Sequence, residues 1–513
     1  MIRDGSLKFS FLLLLCLMAQ TSAQARPPRE YLLSEQGLHG SSPEVLSRAK
    51  ALEDFSAFEE LLRNAYGGYD YFQSHGTDWE GLFKKYRDRL RGKKEWSLGS
   101  YFVLLMDFFK DARILDGHFM LEAYSQTIAL RGRPGAGRFS IRFADEYVRK
   151  DEDGYYLIAR STSADQESYG KLLSVEGRPP KDFLFPTYVP GLRGDIFLIG
   201  SFGEKPARSL RCRISGEKDE LSLVLHDGKM GSFKNNGRLF ASQVINGIPV
   251  LTLRTLRLEH ATDVERFVAT AEKLRREPCI ILDLRGNDGG NDGYGVRWLS
   301  ALTNETIRYR LEKVTLLSPL VDVGEINSRE DRLRYVQDPE GRRQIEEFLD
   351  SAKRRLRQSE IAFSSRTWEA RTFDYPGQAP RKFAGTLIVL SDGTNSSAGE
   401  SFVLLARSLS RTVVMGENSA GINTFAPVNM YRLPDSGVEM SMGGAVNQLN
   451  GNILEGKGIL PDLWIDEADM LPAAVGYAEA VLKKSSTTPP RHDLAATDTS
   501  PTTPSVSTAA FAP

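Results

Sequence analysis

The sequence predicts a mixed α/β (α+β) protein with a core of stacked βαβ units, and three observations carry that expectation. Ile248–Leu253, Cys279–Asp283 and residues 385–390 are short, nearly continuous apolar runs, the pattern of strands buried on both faces. Residues 263–276, between the first two runs, are helix-prone, which gives the strand–helix–strand order of a parallel crossover. After Leu390 a short polar turn leads into residues 400–409, where Phe402, Leu405 and Leu409 recur at helical spacing.

The remaining elements are justified in chain order. Residues 1–25 read as a signal peptide: Arg3 and Lys8, an apolar segment 9–18, then Ala23-Gln24-Ala25 as a small-residue cleavage site. The apolar segment is shorter than the ~20 residues a spanning helix needs, and Cys16 sits in ordinary signal sequence. No second long apolar run follows, so the mature chain is expected to be exported, periplasmic or extracellular, and not an integral membrane protein. Residues 26–121 should form a helical region after a polar arm, with Trp79, Leu82, Phe83, Tyr86 and Leu90 on one helix face. Residues 122–235 look β-rich, with strand-like runs at Gly154–Ala159 and 221–225. The core is expected over 236–482, interrupted at 304–384 by charged, helix-prone sequence that reads as a surface insertion or, more sharply, as a gate or homodimer contact. The Ser-, Thr-, Pro- and Ala-rich tail 483–513 should be disordered.

Composition excludes several classes. Lys and Arg number 66 against 67 Asp and Glu, a formal net charge of −1, which argues against a nucleic-acid or other polyanion partner. Of three cysteines, only Cys212 and Cys279 follow the signal segment, so one disulfide is conceivable and a disulfide framework is not. No His/Cys cluster has metal-ligand spacing, so no metal or other cofactor is expected.

Chemistry concentrates at Ser397, in the run Ser396-Ser397-Ala398-Gly399-Glu400. Strand, turn and helix would present this serine at a helix N-terminus, where unpaired N–H groups and the local field favour an oxyanion. A plain N-cap serine is the competing reading. A second segment, Asp283-Leu-Arg-Gly-Asn-Asp-Gly-Gly290, is another strand running into a Gly-rich turn that could supply a backbone N–H across from Ser397.

Together these segments resemble the S41 peptidases, the tail-specific or C-terminal-processing protease family. Asp283-Leu284-Arg285-x-Asn287-x-Gly289-Gly290 is similar to its signature strand and turn, and Ser397-Ala398-Gly399-Glu400 to its nucleophile motif. Gly416-Glu417-Asn418-Ser419-Ala420-Gly421 and Gly458-Ile459-Leu460-Pro461-Asp462 resemble its later elements, so the likeness covers roughly residues 240–466. It implies a ClpP/crotonase-like core, with 172–179 resembling part of a PDZ-like module whose carboxylate-binding Gly loop is not recognisable. Processing proteases of the family place a lysine directly after Gly421, but here that residue is Ile422, which cannot take a proton.

The chain therefore resembles the Ser-His-Glu branch, similar to the tricorn core protease and the chlamydial protease-like activity factor. Asp116-Gly117-His118-Phe119 is similar to the branch's Asp-x-His element, and Glu455 precedes the closing Gly-Ile-x-Pro-Asp string. The resemblance implies Ser397 as nucleophile, His118 as general base and Glu455 as orienting acid, with Lys457 the nearby alternative base. The oxyanion hole would use the N–H of Ala398 and that of Gly290, or next Gly289. The expected function is an exported serine endopeptidase acting on protein or peptide. The alternative is a catalytically silent binding protein for peptides or lipophilic ligands, and an esterase on the same triad also remains open.

Overall fold

The computed structural model describes residues 28–33, 41–133, 139–160, 168–228, 237–361, 367–448 and 452–487. The expected signal peptide, Cys16, His39, His492 and residues 488–513 lie outside them.

The expected core strands lie side by side. Ile248–Leu253, Cys279–Asp283, Thr386–Ser391, Thr412–Gly416 and Leu463–Trp464 are parallel, with Val250 opposite Ile281 and Ile281 opposite Ile388. Their continuous apolar character has a direct cause, since both faces are covered. Leu251, Leu253, Leu282, Leu387 and Val389 pack against Phe267, Trp298 and Phe402 of the helices Ala261–Val268, Gly293–Leu302 and Ala398–Ala406. Ile248, Val250, Ile281, Ile388 and Leu390 turn the other way, onto Ala473, Ala474 and Ala478 of the helix Leu471–Thr487. That helix extends past Lys483, where the tail was expected to begin; Lys484 in its last turn suits the negative end of the helix dipole.

The N-terminal region is helical as expected: Arg48–Ala65, Gly68–Ser74, Trp79–Arg91 and Leu98–Ala112, with Ser47, Asp78 and Ser97 capping three of the N-termini. Trp79, Phe83, Tyr86 and Leu90 are buried while Leu82 is half-buried, and the face packs against Phe55, Phe58 and Phe108. Each such aromatic contributes about 1.5–3 kcal/mol relative to an exposed position.

Three features add to or correct the sequence expectations. The β-rich region shares its sheet with the core: Trp464 of the core pairs with Thr187, joining both regions into one sheet of fourteen strands among the described residues. The 304–384 segment contains strands as well as helices: Ile307–Leu317 pairs with Thr367–Tyr375 and with Ala445–Gln448, while the helices Pro319–Tyr335 and Pro339–Ile361 lie between. Its first helix meets the core at the Tyr431 hydroxyl, which donates to Leu320 O at 3.0 Å. Cys212 and Cys279 are free and buried in different clusters, so no disulfide joins them.

Candidate active site

Ser397 stands where strand passes into helix. After Thr386–Ser391 the chain turns around Asp392, whose Oδ1 accepts from the N–H groups of Gly286, Thr394 and Asn395 at 3.0–3.1 Å. Ser397 then takes φ 53°, ψ −120°, a conformation L-residues rarely adopt, costing of order 1–3 kcal/mol. Contacts around the turn hold it there. Ser396 N donates to Asn287 O at 2.9 Å, and Ser397 N donates to Glu400 Oε2 at 3.1 Å.

Glu400 is the centre of this elbow. Its buried carboxylate also accepts from Ser419 Oγ, Gly421 N (2.9 Å) and Ile422 N (2.9 Å), tying the elbow to the next turn. Burial pushes its pKa up, against the hydrogen bonds it receives.

His118 comes from the far side, between the last N-terminal helix and the strand Met120–Tyr124. Its Nε2 lies 3.2 Å from Ser397 Oγ and its Nδ1 2.8 Å from Phe425 O. A carbonyl only accepts, so Nδ1 carries the proton and the Nε2 lone pair faces the serine hydroxyl. Burial pushes the imidazole down to about 4, with the Phe425 hydrogen bond opposing. Lys457 has no such contact with Ser397, so it is His118 that stands at the hydroxyl.

Glu455 is close but not where the triad expectation put it. Its Oε1 accepts from Gly117 N at 2.7 Å and its Oε2 from Thr424 N at 3.2 Å, whereas Nδ1 is taken by the Phe425 carbonyl. The carboxylate thus fixes the residue before the histidine and the one before its carbonyl acceptor. Room for this comes from Gly117: a methyl group there would lie 2.2 Å from Ile422 Cγ2 and 3.2 Å from Glu455 Oε1. Beside it, Asp116 Oδ1 accepts from His118 N (2.8 Å) and Phe119 N (3.1 Å), and Asp116 Oδ2 from the Tyr66 hydroxyl (2.9 Å). Burial pushes Asp116 up to about 7, and burial together with the charge of Asp116 raises Glu455 well above the carboxylate range.

The Gly-rich turn packs against the nucleophile, since a methyl on Gly289 would stand 2.9 Å from Ser397 Cβ and 3.2 Å from Ala398 N. Gly289 N is engaged with Asn287 Oδ1 at 3.0 Å. Among the described residues no protein acceptor takes Ala398 N–H or Gly290 N–H. The turn is stiffened by Asp283, between the guanidiniums of Arg254 (2.7 Å) and Arg285 (2.9 Å). Burial alone would raise the Asp283 pKa, but the two cations hold it low.

Sequence reasoning placed Ser397, His118 and Glu455 together but missed the parts that hold them. Asp116 and Glu400 sat inside quoted motifs, visible but without a role. Tyr66 and the Phe425 carbonyl had no local signal, because one lies 50 residues from its partner and the other is backbone. The remaining described histidines are elsewhere; His226, for example, bonds Asp466 at 3.0 Å.

A parallel βαβ core that carries a serine on a strand–helix elbow against a histidine is the framework of a hydrolytic class of protein. Residues 247–465 match the model of peptidase family S41, so this segment is that of a peptidase of the family. No curated protein matches the chain. Among solved structures it is similar to mature CPAF (16% identity, 85% of this chain, 96% of that one, TM-score 0.43). It is also similar to the photosystem II D1 C-terminal processing protease (14%, 85% and 96%, 0.39) and the tricorn protease (12%, 85% and 37%, 0.37). No described helix is long and apolar enough to cross a membrane.

Proposed function

We propose that the protein is an exported serine endopeptidase working through an acyl-enzyme on Ser397. The observation that carries this reading is the pair of contacts on His118, Nε2 to Ser397 Oγ and Nδ1 to a carbonyl, which presents a neutral base to the hydroxyl. Ser397 Oγ attacks the peptide carbonyl as His118 Nε2 takes its proton. The same proton then goes to the leaving amine, and water, deprotonated in turn by His118, releases the acyl group. Ala398 N–H and Gly290 N–H bind the developing oxyanion, each donor worth roughly 10²–10³ in turnover. Glu455 orients the base through the backbone on either side of it. The β-rich region 122–235 is read as a PDZ-like module built onto the core sheet.

The test is fluorophosphonate labelling of the signal-cleaved protein beside His118→Ala and Ser397→Ala, with the modified peptide identified by mass. Label on Ser397 that is lost in His118→Ala is the expected result. A folded wild type that takes no label refutes the reading and directs attention to peptide or lipophilic ligands.

A further inference from the structure

The turn that bears His118 is held by Glu455 and, at two of its three N–H groups, by a residue outside the proposed triad. Three consecutive N–H groups, of Gly117, His118 and Phe119, point at carboxyl oxygens: the first at Glu455 and the other two at Asp116. Asp116 is fully buried, and among the described residues no cation bonds it; its third donor is the Tyr66 hydroxyl, at the C-terminus of the helix Arg48–Ala65. Tyr66 is itself fully buried. Its ring packs edge-on against Phe119 (5.3 Å between centroids) and tilted against Phe425 (5.9 Å), the residue whose carbonyl holds Nδ1. One side chain therefore touches both walls of the histidine. The chain makes space for it, since a methyl on Gly68 would lie 2.5 Å from the Tyr66 hydroxyl, and Gly67 N donates to Gly443 O at 2.8 Å.

We infer that Asp116 and Tyr66 are positioning residues for His118, and that through them the N-terminal helical region completes the base of the active site. This deepens the peptidase reading and rests on it. Asp116 sets the backbone of the histidine turn, Tyr66 holds Asp116, and the ring of Tyr66 fixes the separation of Phe119 and Phe425. The groups facing Asp116 are Tyr66 from the helix, Glu455 from the 452–459 loop and the peptide of its own turn; the work is done by acceptor geometry rather than by its charge.

That distinction makes the test specific. In Asp116→Asn the amide oxygen still accepts from His118 N and Phe119 N, and the amide NH₂ donates to the Tyr66 oxygen. The full-length protein and its variants are titrated with a fluorophosphonate, separating the maximal inactivation rate from the half-saturating concentration. Tyr66→Phe, which keeps the ring and drops one hydrogen bond to a carboxylate, is expected to slow inactivation about tenfold at unchanged half-saturation. Asp116→Ala should slow it further, and Asp116→Asn should recover the rate to within about threefold of wild type. Tyr66→Phe and Asp116→Asn are isosteric enough to keep the experiment decisive if Asp116→Ala does not fold. Wild-type inactivation rates in Tyr66→Phe would overturn the inference and leave the peptidase reading intact, and so would an Asp116→Asn protein as slow as Asp116→Ala. An unlabelled wild type would overturn both.

Discussion

A serine peptidase whose base is an ordinary histidine loses activity below about pH 6.5, as the imidazole takes up a proton. Here the limb should fall much lower. Among the described residues no carboxylate bonds the ring; Nδ1 faces a carbonyl, and burial disfavours the imidazolium, pushing His118 down to about 4. At pH 5.5 such a base is about 97% neutral, against about 9% for an unperturbed one, a difference of roughly tenfold in competent enzyme. The assay is the second-order rate of fluorophosphonate labelling at Ser397 between about pH 4.5 and 8, with fold monitored by circular dichroism. The rate should hold down to about pH 5 and drop only on approach to 4. A half-maximal rate near 6.5 in folded protein would refute the reasoning, because it would mean a solvated or carboxylate-paired imidazole.

Stability is a poorer reporter of the same group, and the signs show why. The folded-state pKa of His118 lies below its unfolded value, so the unfolded chain takes the proton first and His118 contributes a loss of stability as pH falls from about 6.5 to 4. Asp116, pushed up to about 7, takes its proton first in the folded state and contributes a gain as pH falls over the window below 7. The two trends oppose one another.

Further consequences concern the scaffold. Gly289→Ala places a methyl against Ser397 Cβ and Ser396 O at 2.9–3.0 Å, at φ +82°; it should lower labelling at least tenfold and destabilise the fold by about 1–3 kcal/mol, read by denaturant titration. Glu400→Gln keeps the shape, but a single amide oxygen cannot serve donors at both Oε1 and Oε2. At least one of the N–H groups of Ser397, Gly421 and Ile422 is left unpaired, at a cost of about 1–3 kcal/mol, and labelling should slow in parallel; wild-type stability would show that the four contacts are not needed.

The parts of the fold legible in the sequence were those governed by local pattern. The continuous runs 279–283 and 385–390 announced strands covered on both faces, and Trp79, Phe83, Tyr86 and Leu90 announced a helix face. What was not legible depended on strand pairing across long separations. Nothing local to Trp464 says that it meets Thr187, 277 residues earlier, and so fuses the β-rich region to the core. Charge likewise hid the strands of 307–317 and 367–375, whose polar side chains face solvent while their backbones pair with each other. At the site, the candidate side chains Ser397 and His118 stood in recognisable strings, while the imidazole's acceptor is a main-chain carbonyl, which any residue could supply at position 425.

That carbonyl bears directly on what Glu455 does. Where a carboxylate bonds the imidazole itself, replacing it by the amide costs about 10⁴ in turnover, because the wrong tautomer is favoured. Here the tautomer is fixed by Phe425 O, and Glu455 acts one step back, on the N–H groups of Gly117 and Thr424. Glu455→Gln leaves one of those bonds and turns an NH₂ toward the other. It also removes a buried carboxyl that burial, together with the charge of Asp116, already raises well above its usual range. The expected loss is therefore about tenfold, the size of one hydrogen bond to a positioning group, with tautomer and pH profile unchanged. It is measured as the labelling rate of Glu455→Gln beside His118→Ala. A loss near 10⁴, equal to that of His118→Ala, would mean that Glu455 swings onto Nδ1 during the reaction and that the carbonyl contact belongs only to the resting enzyme.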